Sequence, residues 1–140
     1  MIKYKKLPEN IQGLLPKAID YLGSSSEIEF AYLFGGFGRE KPSSLSDVDI
    51  AIYLRSGEDL QAKRLEVLGM LIDLLQTDEI DLIILNRAPL TLRMKVLETK
   101  KVVVDHKPFV RHQYESLTLR EYFDFSLREK AILERRFMRG

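Results

Sequence analysis

Apolar residues recur along the first 105 positions in two rhythms, one typical of helices and one typical of strands. Spacings of three and four mark three helical segments, at residues 8–23, 60–75 and 88–100. Short runs rich in β-branched and aromatic residues mark four strands, at residues 28–35, 47–54, 80–86 and 101–105. The pattern predicts an α/β (α+β) domain over residues 1–105, in which helices flank a sheet and the last strand lies at a sheet edge.

Two positions inside these segments predict local irregularities. Pro16 lies within the first helical run, and a proline there predicts a kink or a split because it has no N–H to donate. Ser56 is followed three residues later by Asp59, and this spacing predicts the start of the second helix at Ser56.

The last part of the chain, residues 106–140, differs from the rest. It has no turn signal between Pro108 and Gly140, and its leucines and aromatics form a broken helical stripe. The pattern predicts one or two helices that extend from the sheet domain. Because the stripe has more aromatic residues than a solvated tail needs, we expect this extension to pack on a partner or on another copy of the chain.

Composition narrows the functional classes. The chain has 140 residues, 45% of them hydrophobic, and a formal net charge of +1. A chain of this length and hydrophobic content can bury a substantial core. Its balanced charge does not favour a direct role with nucleic acid. No cysteine is present, which excludes disulfides and thiolate chemistry. No apolar stretch is long enough to span a membrane, and no apolar segment follows the basic N-terminus, so we expect a cytoplasmic protein.

Candidate chemistry concentrates in the stretch LFGGFGREKPSSLSDVDIAIYL at residues 33–54. Asp47 and Asp49 are two apart in a predicted strand and therefore share one face. Carboxylates this close repel each other unless a proton or a cation lies between them, and Mg²⁺ prefers such oxygen ligands. Asp81, in the following strand, is a third candidate. Three carboxylates on adjacent strands would form a two-metal site for phosphoryl or nucleotidyl transfer.

Glycines precede the aspartates by about ten residues. Gly35 and Gly36 end a strand, and glycine lets a backbone approach a phosphate closely. Cationic and hydroxyl side chains follow that could contact the remaining phosphate charge: Arg39, Lys41, Ser43, Ser44 and Ser46. Alone, the glycines would indicate only a turn and the acids a solvated strand face. Their joint occurrence favours a nucleotide and metal site.

The motif resembles the signature of the DNA polymerase β-type nucleotidyltransferase superfamily. The letters FGG at residues 34–36, ten residues at 37–46 and DVDI at 47–50 match its glycine pair and its two spaced aspartates. The small size makes the chain similar to the minimal nucleotidyltransferases (MNT), the antitoxins of HEPN/MNT toxin–antitoxin pairs. The similarity extends over about residues 11–105.

The resemblance implies a mixed sheet with flanking helices, two Mg²⁺ ions and ATP as the substrate. It implies that Gly35 and Gly36 hold the triphosphate and that Asp47 and Asp49 bind the metals. Asp81 would complete the metal site and help to deprotonate the acceptor hydroxyl. In that family, the MNT protein transfers AMP to a tyrosine of its HEPN ribonuclease partner and silences it.

The chain departs from the family pattern at two positions. Many minimal members have a serine where this chain has Gly36, and a glycine where it has Glu40. The first change removes a hydroxyl that faces phosphate, and the second adds a negative charge near the expected triphosphate.

Three functions stay open at this point. The first is an adenylyltransferase that modifies a HEPN toxin, and the second is an antitoxin that only sequesters its toxin. The third is a small-molecule nucleotidyltransferase of the antibiotic-modifying kind. HEPN toxins have an arginine followed, after four to six residues, by a histidine. Neither His106 nor His112 has an arginine at that spacing, so the chain itself does not resemble the toxin. Tyr114 is a candidate for self-modification.

Overall fold

The structure is a computed structural model that describes residues 10–38 and 47–137. Within these ranges the chain forms four helices and four strands. In chain order they are α1 (Ile11–Ser24), β1 (Ile28–Phe34), β2 (Val48–Leu54), α2 (Leu60–Leu75), β3 (Ile80–Ile84), α3 (Leu90–Thr99), β4 (Lys101–Asp105) and α4 (Pro108–Phe137). Short 3₁₀ turns, Gly35–Gly38 and Leu85–Arg87, follow β1 and β3. Each helix and strand expected from the apolar pattern is therefore present.

The four strands form one mixed sheet in the order β3–β2–β1–β4. β1 pairs antiparallel with both β2 and β4, whereas β2 and β3 are parallel. Parallel neighbours need a crossover between them, and α2 supplies it. β4 lies at an edge, as predicted, and the mixed sheet with flanking helices confirms the expected fold class.

Both faces of the sheet are buried. Alternate residues of β2 point to opposite sides, so that Ile50 and Ile52 join α1 and α2 in one core, while Ala51 joins the other. The second core contains Val96 of α3, and Tyr114 of α4 packs against it. The sheet thus separates one pair of helices from the other.

The structure corrects two local predictions: α1 is not split at Pro16, and α2 does not begin at Ser56. α1 is continuous through Pro16, near its N-terminal end. Pro16 has no N–H to donate to the carbonyl of Gln12, which is an exposed residue four positions earlier. α2 begins at Leu60 rather than near Ser56, because Asp59 is the N-cap: its carboxylate accepts a hydrogen bond from the N–H of Ala62 at 3.1 Å.

α4 is a single helix of 30 residues. Its first half is fastened to the sheet and to α3: the hydroxyl of Tyr32 in β1 donates to Glu115 at 2.7 Å, and Arg93 of α3 forms an ion pair with Glu121 at 2.8 Å. From Leu127 to Phe137 every residue is exposed. Among the described helices, none is both long and apolar enough to cross a membrane.

Candidate active site

Sheet pairing brings the predicted aspartates together. Asp49, near the start of β2, is the register partner of Asp81, near the start of β3. Register partners in adjacent strands point to the same face, so these two carboxylates are neighbours across the ladder. Asp47 immediately precedes β2 and is exposed, as is Asp81, whereas Asp49 is partly buried.

The pKa of Asp49 is shifted by burial and by its neighbours in this site. The pKa of the Asp49 carboxyl is raised from 3.8 to about 6, chiefly by burial and then by the negative charges of Asp81 and Asp47. The cation of Lys95, on α3, acts in the opposite sense. The carboxylates of Asp47 and Asp81 therefore both lie within electrostatic range of Asp49.

The three aspartates are of the right chemical type to bind a metal ion, but they do not yet surround one position. Three carboxylates are the donor type that Mg²⁺ prefers, and a cation there would relieve the repulsion that raises the pKa of Asp49. In residues 10–38 and 47–137, however, no group of three or more acidic or histidine side chains is close enough to form a ready-made metal cage. The donor set fits Mg²⁺, but the side chains would have to converge on the ion.

The glycine turn contacts the same carboxylate. Phe34, the last residue of β1, pairs with Asp49, and Gly35 follows with a φ of +62°, which favours glycine. A Cβ at Gly35 would overlap the Oδ2 atom of Asp49 and lie 3.3 Å from its Cγ. Gly36 continues into the 3₁₀ turn. Gly35 and Asp49, which are distant in sequence, are thus adjacent in space.

Helix α3 adds two residues that the sequence did not indicate. The N–H of Gly35 donates to the Oγ1 atom of Thr99 at 2.8 Å, and Lys95 lies one turn earlier on the same helix. Neither residue belongs to a recognisable motif, and α3 reaches the site only through tertiary packing. The predicted nucleotide-contacting residues Arg39 and Ser46, together with Lys41, Ser43, Ser44 and Glu40, lie outside the described residues.

Tyr114 lies in the aromatic core rather than in an open position. Its hydroxyl donates to the carbonyl of Leu85 at 3.0 Å, and its ring contacts Phe30 and Tyr53. Burial raises the pKa of Tyr114 above its ordinary value. Self-modification at Tyr114 would require this hydroxyl to leave its partner. The histidines are exposed, as expected.

The sequence that forms this site matches the model of a known protein family. The model of the polymerase beta nucleotidyltransferase family matches residues 16–109, which contain both the glycine turn and the three aspartates. The chain belongs to this nucleotidyltransferase family. No curated protein matches the chain by sequence.

Solved structures with the same fold come from toxin–antitoxin complexes. A chain of a toxin–antitoxin crystal structure with AMP-PNP superposes with a TM-score of 0.67 at 23% identity, covering 88% of this chain and 95% of that one. The toxin–antitoxin MntA–HepT gives 0.62 at 22% identity, with coverages of 91% and 97%. A complex of tri-AMPylated Shewanella oneidensis HEPN toxin with MNT antitoxin gives 0.63 at 22% identity, with coverages of 89% and 93%. At these identities the likeness establishes the fold.

Proposed function

We propose that this protein is a Mg²⁺-dependent adenylyltransferase that transfers AMP from ATP to a tyrosine of a HEPN-type toxin and acts as its antitoxin. The observation that carries the proposal is the in-register placement of Asp49 and Asp81, beside Asp47 and against Gly35. Family membership supports nucleotidyl transfer. The structural neighbours with AMP-PNP and with a tri-AMPylated toxin support the nucleotide and the acceptor.

Asp47, Asp49 and Asp81 would hold the metal. Bound Mg²⁺ would neutralise the carboxylates and the triphosphate, which lowers the cost of developing charge at the reacting phosphate. The turn at Gly35 and Gly36 has no side chains, so a phosphate can approach its backbone closely.

The transfer itself exchanges a phosphoanhydride bond of ATP for a phosphate ester bond to the acceptor. The acceptor hydroxyl oxygen forms a bond to the α-phosphorus of ATP, the bond from that phosphorus to the bridging oxygen breaks, and pyrophosphate leaves. The proton of the hydroxyl passes to the carboxylate of Asp81. Asp81 is suited to this step because it is exposed at the start of β3, where an incoming protein side chain can reach it.

α4 provides a surface for the toxin in this proposal. Large apolar side chains that protrude from its second half are exposed by 51% at Leu127, 53% at Leu133 and 78% at Phe137. A helical segment of about three turns gains little stability without tertiary packing. We therefore propose that the projecting end binds the partner.

The same surface favours a second candidate, an antitoxin that acts by binding alone. A sequestering protein needs an interface but no chemistry, and α4 satisfies that requirement without the aspartates. The two candidates predict different masses for the partner after incubation with this protein and ATP: only the adenylyltransferase would increase the partner's mass.

The test is to incubate the purified protein with Mg²⁺ and ATP, with and without the product of the adjacent gene, and to measure intact masses. The proposal expects a gain of one or more AMP masses on the partner. The double variant Asp47→Asn with Asp49→Asn should abolish the gain and still form the complex. Asp73→Asn, which removes an exposed carboxylate from α2, is the matched control and should retain transfer.

Two results would overturn the adenylyltransferase proposal. The first is retained transfer in the double variant, since the aspartates could not then be the metal ligands. The second is an unmodified partner in a tight complex, which would establish the sequestering antitoxin instead.

A further inference from the structure

A single hydrogen bond ties the glycine turn to helix α3. The N–H of Gly35 donates to the Oγ1 atom of Thr99 at 2.8 Å, although the two residues are 64 positions apart in the chain. Thr99 is the last residue of α3, and Gly35 is the first residue after β1. The bond therefore connects two elements that sequence alone leaves independent.

The hydroxyl of Thr99 is itself oriented by its helix. It donates to the carbonyl of Lys95, one turn earlier, at 3.4 Å. This back-bond is an ordinary arrangement for threonine in a helix and selects among its side-chain rotamers. Once the hydroxyl hydrogen points to Lys95, an oxygen lone pair remains to accept the N–H of Gly35. The acceptor is thus presented in a fixed direction.

The position of Gly35 in turn limits Asp49. The space that a Cβ at Gly35 would fill is occupied by the Asp49 carboxylate. The Asp49 carboxylate therefore packs against the backbone of Gly35. A small shift of the turn would change the space available to this carboxylate. Thr99, Gly35 and Asp49 form a chain of contacts that runs from α3 to the proposed metal ligand.

We infer that Thr99 is a positioning residue of the active site: through its hydrogen bond to Gly35 it sets where the Asp49 carboxylate lies. The inference rests on the proposed function for its kinetic consequence, but not for its effect on the carboxylate. A second consequence follows from the same bond. The N–H of Gly35 already has a partner, so it is not free to donate to a phosphate.

The experiment compares Thr99→Val with Thr99→Ser. Valine keeps the shape of the side chain and removes the hydroxyl, whereas serine keeps the hydroxyl. Thr91→Val is the matched control, because Thr91 is an exposed threonine in the first turn of the same helix. Each variant is measured for Mn²⁺ affinity without nucleotide, for the amide chemical shift of Gly35, and for AMP transfer to the partner.

We expect Thr99→Val to move the Gly35 amide resonance, to weaken Mn²⁺ binding several-fold and to lower kcat roughly ten- to a hundredfold, since small misplacements of reacting groups have effects of this size. KM for ATP should change much less. Thr99→Ser should restore all three measurements to within about threefold of the wild type, and Thr91→Val should leave them unchanged. Rescue by serine separates positioning from a mere loss of stability.

Each outcome decides the inference. Unchanged Mn²⁺ affinity in Thr99→Val would overturn it, whether or not the wild type transfers AMP. Equal loss in the valine and serine variants would also overturn it, because the hydroxyl would not be the active group. If the wild type shows no transfer, the proposed function fails, yet Mn²⁺ binding that is weakened by valine and restored by serine still supports the positioning role.

Discussion

Replacing Asp49 by asparagine should stabilise the metal-free protein while it removes activity. Asparagine has nearly the same shape as aspartate and cannot ionise. In the folded protein the Asp49 carboxylate is partly buried and faces the charges of Asp81 and Asp47. Its ionised form is therefore penalised on folding, and the variant avoids that penalty.

The magnitude follows from the pKa. The folded protein binds the Asp49 proton more tightly than the unfolded chain does, because the pKa is raised from 3.8 to about 6. Stability is therefore highest below the lower value, falls as the pH rises from 3.8 to about 6, and stays reduced above that. At about 1.4 kcal/mol for each pKa unit the full difference would be roughly 3 kcal/mol, and solvent screening of a partly exposed group reduces it to roughly 1–2 kcal/mol.

The assay is urea unfolding, followed by circular dichroism, at several pH values between about 4 and 8 with a chelator present. The free energies of unfolding of the wild type and of Asp49→Asn should nearly agree at the acid end. They should differ by roughly 1–2 kcal/mol in favour of the variant above the raised pKa. Asp73→Asn, on the exposed side of α2, should not reproduce this pH-dependent gain. Saturating Mg²⁺ should reduce or reverse the advantage, because the wild-type carboxylate then has a bound cation.

A variant less stable than the wild type near neutral pH, without metal, would refute this reasoning. It would mean that the carboxylate gains more from contacts in the folded protein than it loses by burial and repulsion. A stability difference between the wild type and Asp49→Asn that does not vary with pH would also refute it, because such a difference would not arise from ionisation of Asp49.

Two further predictions concern the glycine turn and the projecting helix. Gly35→Ala should lower AMP transfer at least about tenfold, because its methyl group would displace the Asp49 carboxylate, and should cost about 1 kcal/mol of stability because alanine is strained at positive φ. The control is Gly13→Ala in α1, where a Cβ meets nothing within 4 Å. Activity equal to wild type in Gly35→Ala would contradict the site geometry. Leu133→Ser with Phe137→Ser should weaken binding to the partner at least tenfold in calorimetry and leave the unfolding midpoint within about 2 °C, because both side chains are more than half exposed. Unchanged affinity would exclude this end of α4 as the docking surface.

The apolar pattern was sufficient to identify the elements of this fold. Strands such as β2 alternate strictly, since Ile50 and Ile52 face one core and Ala51 the other, and this alternation is local information. Exact helix starts were less secure. Both Ser56 and Asp59 are good capping residues, and the choice between them depends on where α2 must begin in order to pack on the sheet.

Local sequence patterns were enough to identify the chemistry of the candidate site. Two glycines after a strand and two aspartates on one strand face are short-range patterns, and a third aspartate lies between apolar residues in the next strand. Only the tertiary structure decided that Asp81 lies in register with Asp49, because pairing between strands depends on the crossover and the packing of the sheet. It also decided that Thr99 reaches Gly35, since a hydrogen bond between distant residues depends on how α3 packs beside β1 and leaves no trace in local sequence.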